Sequence, residues 1–145
     1  MDTSPILVVE DDDLVRTFLC RAIAGLGSDV DSCGSGTDAL AALSRRRYGV
    51  VLLDGLLPDI HGVDLGRRVI GHVNGADAGI CFVSGTLRRP SAMSSGVSAL
   101  PKPLRLADLT AAVTTLLAWH HGGNDRAPAE RLAVVDRIGA DLLVG

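Results

Sequence analysis

Aromatic residues are scarce: one Trp, one Tyr and two Phe make up 3% of a 145-residue chain that is 47% hydrophobic. A core must then be built from Val, Leu, Ile and Ala, which suits helices layered on a sheet. Cys20, Cys33 and Cys81 are odd in number, far apart and outside CxxC spacing. That excludes a disulfide framework and a zinc site and leaves them as reduced packing residues. No basic run is longer than Arg45, Arg46 and Arg47, and the net charge is -3, so no nucleic-acid footprint is indicated. Those arginines read as a solvated helix end beside its negative pole. No apolar run reaches a membrane span, and the opening "MDTSP" is acidic and polar, unlike a secretory signal. The expected location is the cytoplasm, with no membrane partner. The length suits one domain and a short appendage.

What is present is a repeated alternation of strand and helix. Residues 5–9 read as a buried strand. The stretch "LVRTFLCRAIAGL" then places Leu14, Phe18, Ala22 and Leu26 at helical spacing, with Gly25 and Gly27 to stop it. A short strand near "DVDSC", a helix over 37–47 and the strand "GVVLLD" follow, then the turn-rich "GLLPDIHG" and a helix near "VDLGRRVIGHV". "GICFVS" is a fourth apolar strand and "SALPK" a weaker fifth. Residues 104–119 form a closing helix, with Leu106, Leu109, Val113, Leu116 and Leu117 on one side. Continuous apolar strands separated by helices imply a parallel sheet covered on both faces. After "HHGGND", Pro128 opens a further helix carrying Leu132, Val135, Ile138 and Leu142 as an apolar stripe. The expected division is a main domain over 1–120, a linker over 121–127 and a helical extension over 128–145.

The strand "ILVV" runs directly into Glu10, Asp11, Asp12 and Asp13, acids that repel one another when crowded. One acid suffices to cap a helix. In an open parallel sheet, ligands bind outside the carboxyl ends of the strands. Glu10 and Asp11 close the first strand there, Asp54 the third, Ser84 the fourth and Lys102 the fifth. Carboxylates with a hydroxyl and an ammonium suit a hard cation, Mg²⁺, with one group left for an anion such as phosphate. Asp12 and Asp13 read as helix-start residues, His61 as a residue shaping its loop, and His72, His120 and His121 as surface residues.

With these motifs in order, "LVVED" (7–11), "VVLLDGLLPDIHG" (50–62), "FVSGT" (82–86) and "PKP" (101–103), the chain resembles a two-component response regulator receiver domain over about residues 4–120. The resemblance implies a flavodoxin-like, doubly wound α/β fold with a five-stranded parallel sheet in the order 2-1-3-4-5, plus the extra C-terminal helix. It implies that Asp54 is the phosphoacceptor, attacking the phosphorus of a phosphohistidine on a sensor histidine kinase or histidine phosphotransfer protein. Asp11, Asp54 and the backbone carbonyl of Leu56 would ligate Mg²⁺, with Glu10 acting through metal-bound water. Ser84 and Lys102 would each meet a phosphoryl oxygen. Leu56 and Thr86 would flank the approach of the hydrolytic water. Such a chain catalyses its own phosphorylation and dephosphorylation at most.

Two departures stand out. Ala99, three residues before the lysine, replaces the aromatic side chain that the family uses as a rotor. The stretch "SGTLRRPSAMSSGVSAL" is short and rich in Ser and Gly, so its helix is expected to be short or poorly ordered. These departures motivate an alternative, a receiver-like interaction module that no longer uses phosphate. Retention of Asp11, Asp54, Ser84 and Lys102 argues against it. An aspartyl-phosphate phosphatase of the haloacid dehalogenase type needs a second Asp where Leu56 stands. The tail stripe serves either an accessory helix or pairing between copies, and the shortened segment favours a homodimer through that helix.

Overall fold

The computed structural model describes residues 4–123 and 127–144. Among them the chain forms the strands β1 (Ile6–Val9), β2 (Val30–Cys33), β3 (Val50–Asp54), β4 (Gly79–Ser84), β5 (Ser91–Ser94) and β6 (Val97–Pro101). The helices are α1 (Asp13–Ala24), α2 (Gly36–Arg45), α3 (Gly62–Ile70), α4 (Leu106–Gly122) and α5 (Pro128–Val144). The sheet order is β2-β1-β3-β4-β6-β5. Five strands run parallel in the expected sequence, and β5 adds an antiparallel edge beside β6.

Strands β1, β3 and β4 are buried along their whole length, as expected of near-continuous apolar runs covered on both sides. Their alternate side chains divide between two cores. Ile6, Val8, Val50, Leu52, Cys81 and Val83 pack with Leu19 and Ile23 of α1 and with Leu109, Val113 and Leu116 of α4. Leu7, Val9, Val51, Leu53, Ile80 and Phe82 face α2, α3 and the C-terminal helix.

Two helix phases differ from the spacing read in the sequence. On α1 the buried residues are Leu19 and Ile23, while Leu14 is 83% and Phe18 47% exposed. Leu14 and Phe18 lie on a second apolar stripe of the same period. Packing of Leu19 and Ile23 against the sheet and α4 decides the phase, while Asp12 fixes the start as the N-cap, accepting from the amides of Leu14 and Val15. Leu106 likewise stands apart from the buried side of α4. Residues 121 and 122, expected in the linker, complete α4, and residues 124–126 lie outside the described residues.

The segment between β4 and β6 is the main correction. In place of a short or loose helix it forms a hairpin, with Ser95 (φ 50°) and Gly96 (φ 73°) as its two-residue turn. Paired positive φ values match the right-handed twist of the flanking strands, which is why such turns favour glycine. Gly96 also lies where a Cβ would come within 2.6 Å of the Trp119 ring. The hairpin connects β4 to the parallel β6 without laying a helix on the sheet.

The C-terminal helix fills that place. Val134, Val135, Ile138 and Leu142 of α5 are buried in the same core as Phe82, Val97 and Ala99, with Leu132 packed against it. Its own chain covers the stripe expected to pair with a second copy. The physical reason is the hairpin, which leaves one sheet face open. Ala99, fully buried between Phe82's strand and α5, is small enough to let the helix approach. Arg131, 0% exposed, fixes the other end. Its guanidinium donates to the carbonyls of Ser95, Ala76 and Ala78 and stacks 4.5 Å from the Trp119 ring. Arg67 of α3 adds an ion pair to Asp136 at 2.7 Å.

Arg46, Arg47, His72 and His120 each have a partner, while Arg45 and Arg47 remain exposed as expected of a solvated helix end. Arg46 bonds Asp29 and Asp31, and Arg47 bonds Asp77. His120 Nδ1 lies 2.7 Å from the Asp77 carbonyl, and His72 accepts from the Asn74 amide. The three cysteines are free, and burial pushes the Cys33 thiol up to about 11 and Cys81 up to about 12.

Candidate functional site

Two adjacent parallel strand ends bring the acids together. Glu10 and Asp11 follow β1, and Asp54 ends β3, which pairs with β1 in register. Carboxylate oxygens of Glu10, Asp11 and Asp54 all lie within 4.8 Å of one another. Glu10 and Asp54 are buried and Asp11 is exposed, so the cluster opens to solvent on one side. Such spacing leaves like charges uncompensated unless a cation joins them.

Lys102, just beyond β6, supplies part of that compensation. Its Nζ lies 2.8 Å from Glu10 Oε1 and 3.4 Å from Asp54 Oδ1. Burial works against the Lys102 ammonium, but the hydrogen bond to Glu10 and the charge of Asp54 outweigh it, so its pKa stands above the ordinary value. The backbone amide of Lys102 bonds the Ser84 carbonyl at 2.9 Å, which ties the β6 end to the β4 end.

Ser84 ends β4, next to β3 and beside Gly55. Its Oγ lies 2.9 Å from Thr86 Oγ1 and accepts from the Thr86 amide at 3.2 Å. Thr86 in turn donates to the carbonyl of Leu142 at 3.1 Å. This link from the site to the C-terminal helix has no sequence signature, because 56 residues separate its ends.

The loop after β3 folds back tightly. Leu56 bridges to His61, its amide donates to Asp54 Oδ1 at 3.3 Å, and its side chain is 75% exposed. At Gly62 a Cβ would fall 2.3 Å from the Asp54 carbonyl, so the return to α3 needs glycine there. His61 caps α3 by accepting from the Val63 amide through Nδ1, the loop-shaping role expected of it. Asp59 was not singled out by sequence reasoning, yet it clamps this loop to α2. Its carboxylate accepts from the amides of Gly36 and Thr37 and from the Thr37 hydroxyl, and these bonds, the Gly36 amide foremost, hold its pKa down to about 2.

All five named side chains therefore gather at one end of the sheet, with Leu56 on the adjoining loop. The donor set for a cation is oxygen only, which fits a hard ion such as Mg²⁺ rather than zinc or copper. The Arg88 and Arg89 side chains are exposed on the loop that follows Thr86.

The family model of the response regulator receiver domain matches residues 6–114. Among curated proteins, the DNA-binding response regulator MtrA of Mycobacterium tuberculosis is 35% identical over 144 residues, an alignment covering 94% of this chain and 59% of that protein. The chain thus spans less than two thirds of the length of the curated relatives it matches. Among solved structures, a sensor protein from Polaromonas is 27% identical with a TM-score of 0.70, over 81% of this chain and 98% of that one. The receiver domain of a sensor histidine kinase from Pseudomonas aeruginosa, with a magnesium ion coordinated in its active site cleft, is 25% identical with a TM-score of 0.68, over 82% and 98%. No described helix is long and apolar enough to cross a membrane. Fold, strand-end residues and family match agree: this chain belongs to the response regulator receiver domain family.

Proposed function

We propose that Asp54 accepts a phosphoryl group from a phosphohistidine on a histidine kinase or histidine phosphotransfer protein, in a Mg²⁺-dependent reaction, and that the phosphorylated chain signals through protein contacts in the cytoplasm. The observation that carries this reading is the convergence of Asp54, Glu10, Asp11 and Lys102 at one end of the sheet. An Asp54 carboxylate oxygen would form the new bond to phosphorus as the phosphorus–nitrogen bond to imidazole breaks and the ring nitrogen leaves with the electron pair. Glu10, Asp11, Asp54 and the Leu56 carbonyl would hold the cation, whose charge offsets repulsion between carboxylate and phosphoryl oxygens. Lys102, now paired with Glu10 and Asp54, would balance a phosphoryl oxygen as a compact cation. Ser84 would donate to another. Leu14 and Phe18 give the α1 rim an exposed apolar surface for the donor protein.

The relatives named MtrA are DNA-binding regulators, whereas the role proposed for this chain needs no nucleic-acid contact. The test is incubation with a small-molecule phosphodonor with and without Mg²⁺, followed by intact-mass measurement. One phosphoryl group should appear on the wild type only with Mg²⁺ and should be absent from Asp54→Asn. A wild type that stays unmodified would favour the phosphate-independent interaction module instead.

A further inference from the structure

The hydroxyls of Ser84 and Thr86 have one proton each, and the structure fixes where both go. The Leu142 carbonyl can only accept, so the Thr86 hydroxyl proton is given to it. Thr86 Oγ1 is then the acceptor in its contact with Ser84, and the Ser84 proton points to Thr86. Leu142 lies two residues before the last residue of α5, where helix carbonyls have no partner within the helix. Thr86 is thus the external donor that satisfies this carbonyl, and Leu142 itself is buried in the core.

We propose that Thr86 is a positioning residue that couples the phosphoacceptor site to the C-terminal helix, an inference resting on the function proposed above. The Ser84 proton cannot serve Thr86 and a phosphoryl oxygen on Asp54 together. When Ser84 turns to the phosphoryl group, Thr86 loses both the proton it accepts and the acceptor of its amide. A hydroxyl that no longer accepts is a weaker donor, so the bond to Leu142 weakens with it. The last described turn of α5 then opens more often. Coupling is reciprocal: the helix, by holding Thr86, opposes the turn of Ser84 toward phosphate. In this chain α5 covers buried Ala99 and takes over the readout that an aromatic rotor would otherwise give.

The test uses the full chain with Mg²⁺ and beryllofluoride as a stable phosphoryl mimic, read by amide hydrogen exchange and by mimic affinity. In the wild type, exchange over 138–142 should rise on adding the mimic, by at most the about fivefold that full loss of one ordinary hydrogen bond represents. In Thr86→Val, which keeps the branched shape, exchange there should be high without the mimic and unresponsive to it, while the mimic binds more tightly by a similar factor. Thr86→Ser should restore the wild-type pattern, which a purely packing role for the threonine methyl would not allow. If the mimic binds and protects residues near Asp54 but leaves 138–142 unchanged, the coupling is wrong and the phosphoacceptor assignment stands. If the mimic does not bind at all, the proposed function fails and the coupling with it.

Discussion

The Lys102 ammonium is bonded to Glu10 at 2.8 Å across 92 residues of chain, closer than to Asp54 at 3.4 Å. One cation therefore serves two of the three clustered carboxylates. A divalent ion should bind the remaining charge and stabilise the fold by mass action. At about ten times its Kd, Mg²⁺ is expected to add about 1.4 kcal/mol, or roughly 3–5 °C in melting temperature. Asp11→Ala should lose this shift. An equal shift in that variant would place the ion elsewhere.

The exposed Leu56 offers the hydrolytic water no hydrogen-bonding group. Decay of the phosphorylated protein should therefore be slow, and Leu56→Asn should speed it several-fold, as followed by loss of the phosphoryl mass after donor removal. Unchanged or slower decay in the variant would sink this account.

Asp59 gives a pH signature on the acid side. Its carboxyl is held from an ordinary 3.8 down to about 2 by the Gly36 amide and the Thr37 groups. A depressed folded pKa means that the contribution is fully present above the ordinary value and is lost as pH falls through about 2. Below about pH 4, the melting temperature of wild type should fall more steeply than that of Asp59→Asn. Parallel curves would show that the clamp does not depend on charge.

Arg131 presents its planar fork to three carbonyls that lose their donors together if it is removed. Arg131→Met, which keeps an apolar stem, is expected to cost about 3–5 kcal/mol. Arg131→Lys should recover little, since a single ammonium cannot reproduce the fork. Urea unfolding of both variants at constant slope checks this.

A chain ending at Gly122 would lack Val134, Val135, Ile138 and Leu142, each worth about 1.5–3 kcal/mol when fully buried. Together these approach the whole stability of a small domain. The truncated chain should lose its cooperative unfolding transition. A stable, cooperatively folded truncation product would mean that the core closes without α5.

The five parallel strands and the strand-end residues were legible in the sequence because each depends on local signals. Continuous apolar runs end in Glu10, Asp54, Ser84 and Lys102, and a known family pattern orders them. What was not legible depended on long-range choices. The Ser95–Gly96 pair was a usable turn signal, but the Ser-rich stretch around it has weak strand propensity, and pairing with β6 decided the outcome. The phase of α1 was ambiguous because two stripes of the same period compete. Whether the tail stripe would find its own sheet or a second copy depended on that hairpin, which the stripe's periodicity does not encode. The burial of Arg131 had no signal, since its acceptors are backbone carbonyls.

Because α5 follows every strand in sequence, the order of synthesis matters for this core. A chain emerging from the ribosome can pair β1 through β6 and lay α1 and α4 on one side while Val97 and Ala99 on the other still lack their cover. The part of the second core around Val97 and Ala99, beyond the reach of α2 and α3, stays wet until Leu142 is free of the exit tunnel. Closure of that part comes after the rest of the core, and during that interval the uncovered apolar patch at β6 is the part of the molecule that most needs protection from other nascent chains.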